Sequence, residues 1–167
     1  SGYTGFSGYT ISIWACTDFV QDTYNPLEEY GVSLIVNKHT IWRDYYSRAG
    51  LWFYPDKIVC IPRYSDKHLY DITFKHNVVT HRWYHLSYVV KCVGNKPPSY
   101  VLPFTWKATF YVNGKEVGSS SWSNLYAPGP SSPAGDIIFG DDFSGKFQGF
   151  SLMLSPLTQA EVIQQMH

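Results

Sequence analysis

The feature that most constrains this chain is a series of short segments in which apolar and small polar residues alternate, each closed by a turn. Residues 9–16 alternate at a period of two, which is typical of a strand with one buried face. Similar β-type segments lie at 31–36, 49–54, 57–61, 69–74, 83–90, 108–112, 115–118, 136–140 and 145–154. Pro55-Asp56 and Asn113-Gly114 are turn signals between neighbouring segments. About ten strands with short connections predict an all-β fold, an antiparallel jelly-roll β-sandwich of two packed sheets.

The C-terminal residues alone predict a helix. Thr158 followed by Glu161 fits a capping box, in which each side chain satisfies a backbone N–H of the other residue. Leu157 before the cap and Val162 after it can close as a hydrophobic staple. We therefore expect one short C-terminal helix beside the sandwich.

Length and composition favour one domain over residues 1–167. Hydrophobic residues are 44% of the chain, enough for a core, and the 18% of aromatic residues excludes disorder. No apolar run approaches the ~20 residues of a membrane-spanning helix. The chain opens without an initiator methionine or a signal pattern, so we expect a domain excised from a larger chain. Thirteen basic and thirteen acidic residues argue against a nucleic-acid partner and against direct membrane insertion.

The three cysteines leave two alternatives open. Cys16, Cys60 and Cys92 can be three buried thiols, or Cys60 and Cys92 can form a disulfide between two predicted strands. Their spacing does not fit a structural zinc site.

Acidic and histidine residues do not fit a catalytic pattern, so we expect no enzyme. The four glutamates include no pair at strand spacing, which a glycosidase on a β-sandwich needs. No nucleophile motif of the Gly-x-Ser-x-Gly type occurs. We predict that His85 is a core histidine and that His76 and His81 are solvated.

Aromatic residues outside the predicted strands suggest a binding surface. Residues 41–48 lie between predicted strands, so they are expected in a loop or at an edge, where aromatics are not needed for the core. Trp, Tyr and Arg are suited to stacking on sugars and to protein contacts. Two further clusters lie in the 100–106 insertion, with Tyr100 and Phe104, and in the Ser/Pro/Gly-rich loop 119–135. The predicted ligand-binding residues are Trp42, Arg43, Asp44, Tyr45, Tyr46, Arg48, Trp106, Trp122 and Tyr126.

Four segments resemble the laminin-G-like branch of the concanavalin A-like lectin/glucanase superfamily. They are residues 9–14, 82–87, 110–117 and 147–162, which are similar in order and spacing to the opening strand, a Trp-x-His strand, a hairpin and the closing helix of that family. The resemblance implies a jelly roll and an extracellular or cell-surface location. It also implies that Trp14, Trp83 and Phe147 face the core.

The resemblance and the loop aromatics together predict a non-catalytic, lectin-like carbohydrate-binding domain of a secreted or surface protein with a role in adhesion. The alternative is a protein-recognition or oligomerisation module of a larger surface or fibre protein. The expected partner is a glycan or a cell-surface protein. Some relatives hold Ca²⁺ in rim loops, and Asp18, Asp22, Asp141 and Asp142 are suitable acids, but solvated loop acids are the favoured interpretation. We therefore assign no cofactor.

Overall fold

The structure is a computed structural model that describes residues 7–18, 39–44, 49–94, 104–124, 137–140 and 143–167. At positions 39, 44 and 124 it describes the backbone only. No helix in these segments is long and apolar enough to cross a membrane.

Two antiparallel sheets of five strands form the described part of the fold. Sheet A has the order β10-β1-β6-β7-β8, and sheet B has the order β5-β4-β3-β2-β9. The strands are β1 (Gly8–Thr17), β2 (His39–Asp44), β3 (Gly50–Tyr54), β4 (Lys57–Ile61), β5 (Ile72–Lys75), β6 (Trp83–Gly94), β7 (Phe104–Val112), β8 (Lys115–Asn124), β9 (Ile137–Phe139) and β10 (Gly145–Met153). The prediction of an all-β jelly-roll sandwich is confirmed.

The core lies between the sheets because alternate side chains of each strand point inward. In β1 the inward set is Tyr9, Ile11, Ile13 and Ala15, and in β6 it is Tyr84, Leu86, Tyr88, Val90 and Cys92. The remaining residues of these two strands form the outer face of sheet A.

The predicted turns are confirmed. Asn113 and Gly114 both have positive φ, of 53° and 79°, and they join β7 to β8. This geometry suits a two-residue hairpin, and Asn-Gly adopts it at little steric cost. Asn113 also accepts a hydrogen bond from the His85 backbone N–H through Oδ1, at 2.8 Å.

The predicted helix is confirmed as α1 (Gln159–Gln164), with Thr158 as its N-cap and Glu161 completing the capping box. It lies on the outer face of sheet A. The Leu157 N–H donates to Thr10 Oγ1 at 2.9 Å, and Ser12 Oγ donates to Gln165 Oε1 at 2.7 Å. Four apolar side chains close this contact as a small buried cluster: Val89, Tyr111, Leu157 and Val162.

Three stretches predicted as loops are strands. Residues 41–44 belong to β2, which pairs with β3 and β9. Residues 104–106 begin β7, and residues 119–124 extend β8 along it. Pairing with neighbouring strands decides their structure, because strand propensity depends mainly on packing against those strands. The predicted strand at 31–36 lies outside the described residues.

The cysteines are three buried thiols, and the Cys60–Cys92 disulfide is wrong. Cys60 lies in β4 of sheet B, and Cys92 lies in β6 of sheet A. Packed sheets are about 10 Å apart, whereas disulfide-linked Cα atoms are usually 4.4–6.8 Å apart. Burial is the largest cause raising the pKa of Cys60, and the Asp71 carboxylate adds to it, so this thiol stays protonated and unreactive.

Three free, buried thiols predict how many cysteines a labelling experiment detects before and after denaturation. A thiol-specific reagent should label none of the three cysteines in the native protein on the timescale of mixing, and all three after denaturation without reductant. If only one cysteine is labelled in the denatured protein, a disulfide exists. Dithiothreitol should leave the thermal midpoint unchanged.

Candidate binding surface

Three tryptophans of the predicted ligand-binding set are core residues, so their expected exposure is wrong. Trp42 and Trp106 are 0% exposed, and Trp122 is also buried. Trp106 and Trp122 face each other across β7 and β8, while Trp42 lies in β2 of the other sheet. All three point between the sheets, so their rings are not accessible to a ligand.

The other predicted residues do not form a described site. Arg43 is half-buried in β2, and the structure describes only the backbone of Asp44. Four members of the set lie outside the described residues: Tyr45, Tyr46, Arg48 and Tyr126.

The accessible tryptophans are instead two that were expected in the core. Trp14 is half-buried and Trp83 is 37% exposed. Each lies on the outer face of sheet A, because its sequence neighbours Ile13 and Tyr84 point inward. Phe147, by contrast, packs partly buried against the core, as expected.

Strand register brings these two rings together with a histidine and two polar side chains. Trp14 lies opposite His85 on β6 and opposite Gln148 on β10. One step along β1, Cys16 lies opposite Trp83 and Lys146. We call this surface the tryptophan face and define it by Trp14, Trp83, His85, Lys146 and Gln148.

Helix α1 leaves the tryptophan face uncovered. The helix contacts the Thr10 and Ser12 end of β1, whereas Trp14 follows further along the strand. Gly149 beside Trp14 has a positive φ of 64°, and a Cβ built there would lie 3.7 Å from Trp14 Cδ1. A side chain at position 149 would therefore make ordinary van der Waals contact with the indole.

The imidazole ring of His85 packs against the Trp14 ring. The two ring centroids are 5.0 Å apart at an interplanar angle of 64°, an edge-to-face contact. His85 is only 2% exposed, and its Nδ1 is buried without a hydrogen-bond partner among the described residues. Burial lowers the pKa of His85 to about 4, so the imidazole is neutral at pH 7.

Polar groups of both signs border the face. Lys146 and Gln148 are exposed on β10. Asp18 follows β1, and its Oδ1 lies 3.5 Å from Nδ1 of the exposed His81. Aromatic rings bordered by hydrogen-bonding groups can stack on an apolar ring face and orient its hydroxyl groups.

A metal site is not present among the described residues, where no three His, Cys, Asp or Glu side chains group together. Of the acids considered for Ca²⁺, Asp18 pairs with His81. Asp22, Asp141 and Asp142 lie outside the described segments. His76, expected to be solvated, is half-buried instead, and its Nε2 lies 2.9 Å from the Tyr84 hydroxyl.

No family model matches the chain, and no curated protein matches it. Solved structures do match. A tryptophan-to-alanine mutant of HCR/D has a TM-score of 0.57 at 10% identity, over 96% of this chain and 37% of that one. Native heptameric SAP-like pentraxin from Limulus polyphemus has a TM-score of 0.53 at 13% identity, over 93% of this chain and 68% of that one. A mutant of HCR D/C VPI 5995 has a TM-score of 0.55 at 10% identity.

These neighbours share the jelly-roll β-sandwich fold with this chain. At such low identity the likeness concerns the fold alone. The chain spans little more than a third of the HCR/D chain.

Proposed function

We propose that this chain is a non-catalytic, lectin-like carbohydrate-binding domain of laminin-G type, carried by a secreted or surface protein with a role in adhesion. The tryptophan face is its contact surface. The observation that carries the proposal is the position of Trp14 and Trp83 on a sheet face that α1 leaves uncovered, whereas the other four tryptophans are each 5% exposed or less. An accessible tryptophan is costly to hydrate, and a sugar ring replaces that water with C–H contacts.

The polar border supports the same class of ligand. Lys146 donates hydrogen bonds, Gln148 both donates and accepts, and Asp18 accepts. Hydroxyl groups around a pyranose ring require this mixture of donors and acceptors. Because neither sign of charge dominates, a neutral or weakly charged glycan fits better than a strongly charged polymer.

A glycan array, probed with and without Ca²⁺, tests the proposal. The Trp83→Ala variant should then bind that glycan more weakly than the unaltered protein, by about 2 kcal/mol or roughly thirty-fold. A loss of this size is typical of an aromatic anchor. Titration calorimetry measures this change. Trp83→Phe should retain part of the affinity because it keeps an aromatic face.

Phe139→Ala is the matched control, since Phe139 is 44% exposed but lies on β9 of sheet B. It should leave the affinity unchanged. If no glycan binds in the millimolar range, or if Trp83→Ala and Phe139→Ala behave alike, the proposed function is wrong.

A protein-recognition or oligomerisation module is the second candidate, and the end of β10 favours it. Leu152, Met153 and Leu154 are consecutive exposed apolar residues, and Leu154 is 76% exposed. Apolar runs of this kind are frequent at protein contacts. Light scattering coupled to size exclusion and a pull-down together separate the candidates. A strict monomer that binds glycans and captures no protein partner would count against a protein contact at the end of β10.

A further inference from the structure

Two rows of side chains cross the tryptophan face, and each row contains one indole and one hydrogen-bonding group of β10. In the first row, Trp83, Cys16 and Lys146 lie side by side on β6, β1 and β10. In the second row, Trp14 lies beside Gln148. The two rows are two residues apart along the strands, or about 7 Å. The face therefore repeats the same combination, a ring with a polar group, at a fixed interval.

The first row has charged groups of both signs around a small central side chain. Cys16 is the smallest residue of that row and is buried, whereas Trp83 and Lys146 are exposed. Burial is the largest cause raising the pKa of the Cys16 thiol, the Asp18 carboxylate raises that pKa further, and the Lys146 ammonium lowers it. Both charged groups therefore lie near this thiol. An indole, a donor and an acceptor around one small side chain suit a sugar ring with several hydroxyl groups.

The second row presents a ring that is held in place before any ligand binds. Trp14 packs edge-to-face on His85 at 5.0 Å, and Gln148 beside it is exposed. A ring that is already held loses less conformational freedom when a ligand stacks on it. Trp14 and Trp83 occupy diagonal positions on neighbouring antiparallel strands, which places them about 7–8 Å apart. Because a sugar ring is similar in size to one indole, a single sugar cannot cover both rings.

We propose that the tryptophan face binds two neighbouring residues of a β-1,4-linked glycan chain, one over each row, rather than a single terminal sugar. This inference rests on the proposed function and names its substrate class. Two rings on the outer face of one sheet stack together only on a ligand whose successive sugar faces lie in one plane. A β-1,4 linkage between equatorial positions gives such a flat, extended chain, whereas an α-1,4 linkage gives a curved one. Once one sugar is bound, the contact of the next becomes intramolecular, which raises the affinity of the chain.

Titration calorimetry with two series of oligosaccharides tests the inference. The first series runs from glucose to cellotetraose, and the second from N-acetylglucosamine to chitotetraose; both have β-1,4 linkages. Maltotetraose is the matched control, because it has the composition of cellotetraose but α-1,4 linkages. At least one β-1,4-linked tetramer should bind about tenfold more tightly than its own monosaccharide and than maltotetraose. If neither tetramer does so, the inference is wrong.

Matched variants on the same sheet face assign the two rows. Trp14→Ala and Trp83→Ala should each remove most of the gain in affinity from monosaccharide to tetramer, because each leaves one row without its ring. Lys146→Met should weaken the tetramer about fivefold, the loss expected for one hydrogen bond. Lys91→Met is its control, since Lys91 is also exposed on this face but lies at the opposite end of β6 from Trp83. Equal effects of the two lysine variants would contradict the assignment of Lys146 to the first row.

Failure of this inference is distinguishable from failure of the proposed function. A glycan from the array that depends on Trp83 but binds no more tightly than its own monosaccharide would overturn the two-row arrangement and leave carbohydrate binding intact. The absence of binding by any glycan would overturn the proposed function and this inference together. If Trp14→Ala does not fold, as judged by circular dichroism, the oligosaccharide series on the unaltered protein and the Trp83→Ala variant still decide.

Discussion

Trp42→Ala is expected to lower the free energy of unfolding by about 3–5 kcal/mol, the usual cost of deleting a large buried aromatic side chain. Trp42 in sheet B stacks on Tyr88 of sheet A at 6.0 Å and 12°, and meets Phe150 of sheet A edge-on at 6.1 Å. Its ring therefore joins the two sheets. Since domains are stable by only 5–15 kcal/mol, the loss is a large fraction of the total.

Urea denaturation followed by circular dichroism measures this effect. Trp83→Ala is the matched control, because it removes the same side chain from an accessible position. We expect it to cost less than about 1 kcal/mol. Trp42→Phe keeps an apolar ring and should fall between the two.

The opposite outcome is also informative. A Trp42→Ala protein that unfolds at the urea midpoint of the unaltered chain but no longer binds a glycan would show that Trp42 contacts the ligand. The sequence-based assignment of Trp42 to the binding surface would then be right, and the placement of this ring between the sheets would be wrong.

The local sequence is sufficient to predict those structures that depend only on residues close together in the chain. The Asn113-Gly114 turn and the Thr158 capping box depend on short-range geometry, and both were predicted correctly. Trp14 and Trp83 were misplaced although the signal was present. Trp14 follows Ile13, so alternation assigns it to the face of Thr10 and Ser12 rather than to the core.

Long-range pairing could not be predicted in this way. Residues 41–44 form an inner strand because β9, nearly a hundred residues later, pairs with them. The serine-rich end of β8 has weak strand propensity, and pairing with β7 overrides it. For this reason Trp42 and Trp122 were expected on loops, while the structure buries both.

Acid is expected to destabilise the fold through His85. The pKa of His85 is lowered to about 4 in the folded protein from an ordinary value of 6.5. Between these two values the unfolded chain binds a proton at this site and the folded chain does not, so the free energy of unfolding falls as the pH is lowered. A difference of about 2.5 pKa units corresponds to roughly 3 kcal/mol, lost progressively between pH 6.5 and pH 4.

Urea denaturation at several pH values measures this slope, and His85→Gln should flatten it because glutamine does not titrate. Carboxylates also titrate toward pH 4, so the difference between the two proteins is the relevant quantity. His81→Gln is the matched control, since it makes the same replacement at an exposed histidine. Parallel slopes in the unaltered and His85→Gln proteins would mean that His85 accepts a proton freely in the folded state. The close packing of Trp14 over this imidazole could then not be correct, and the tryptophan face would have to be redrawn.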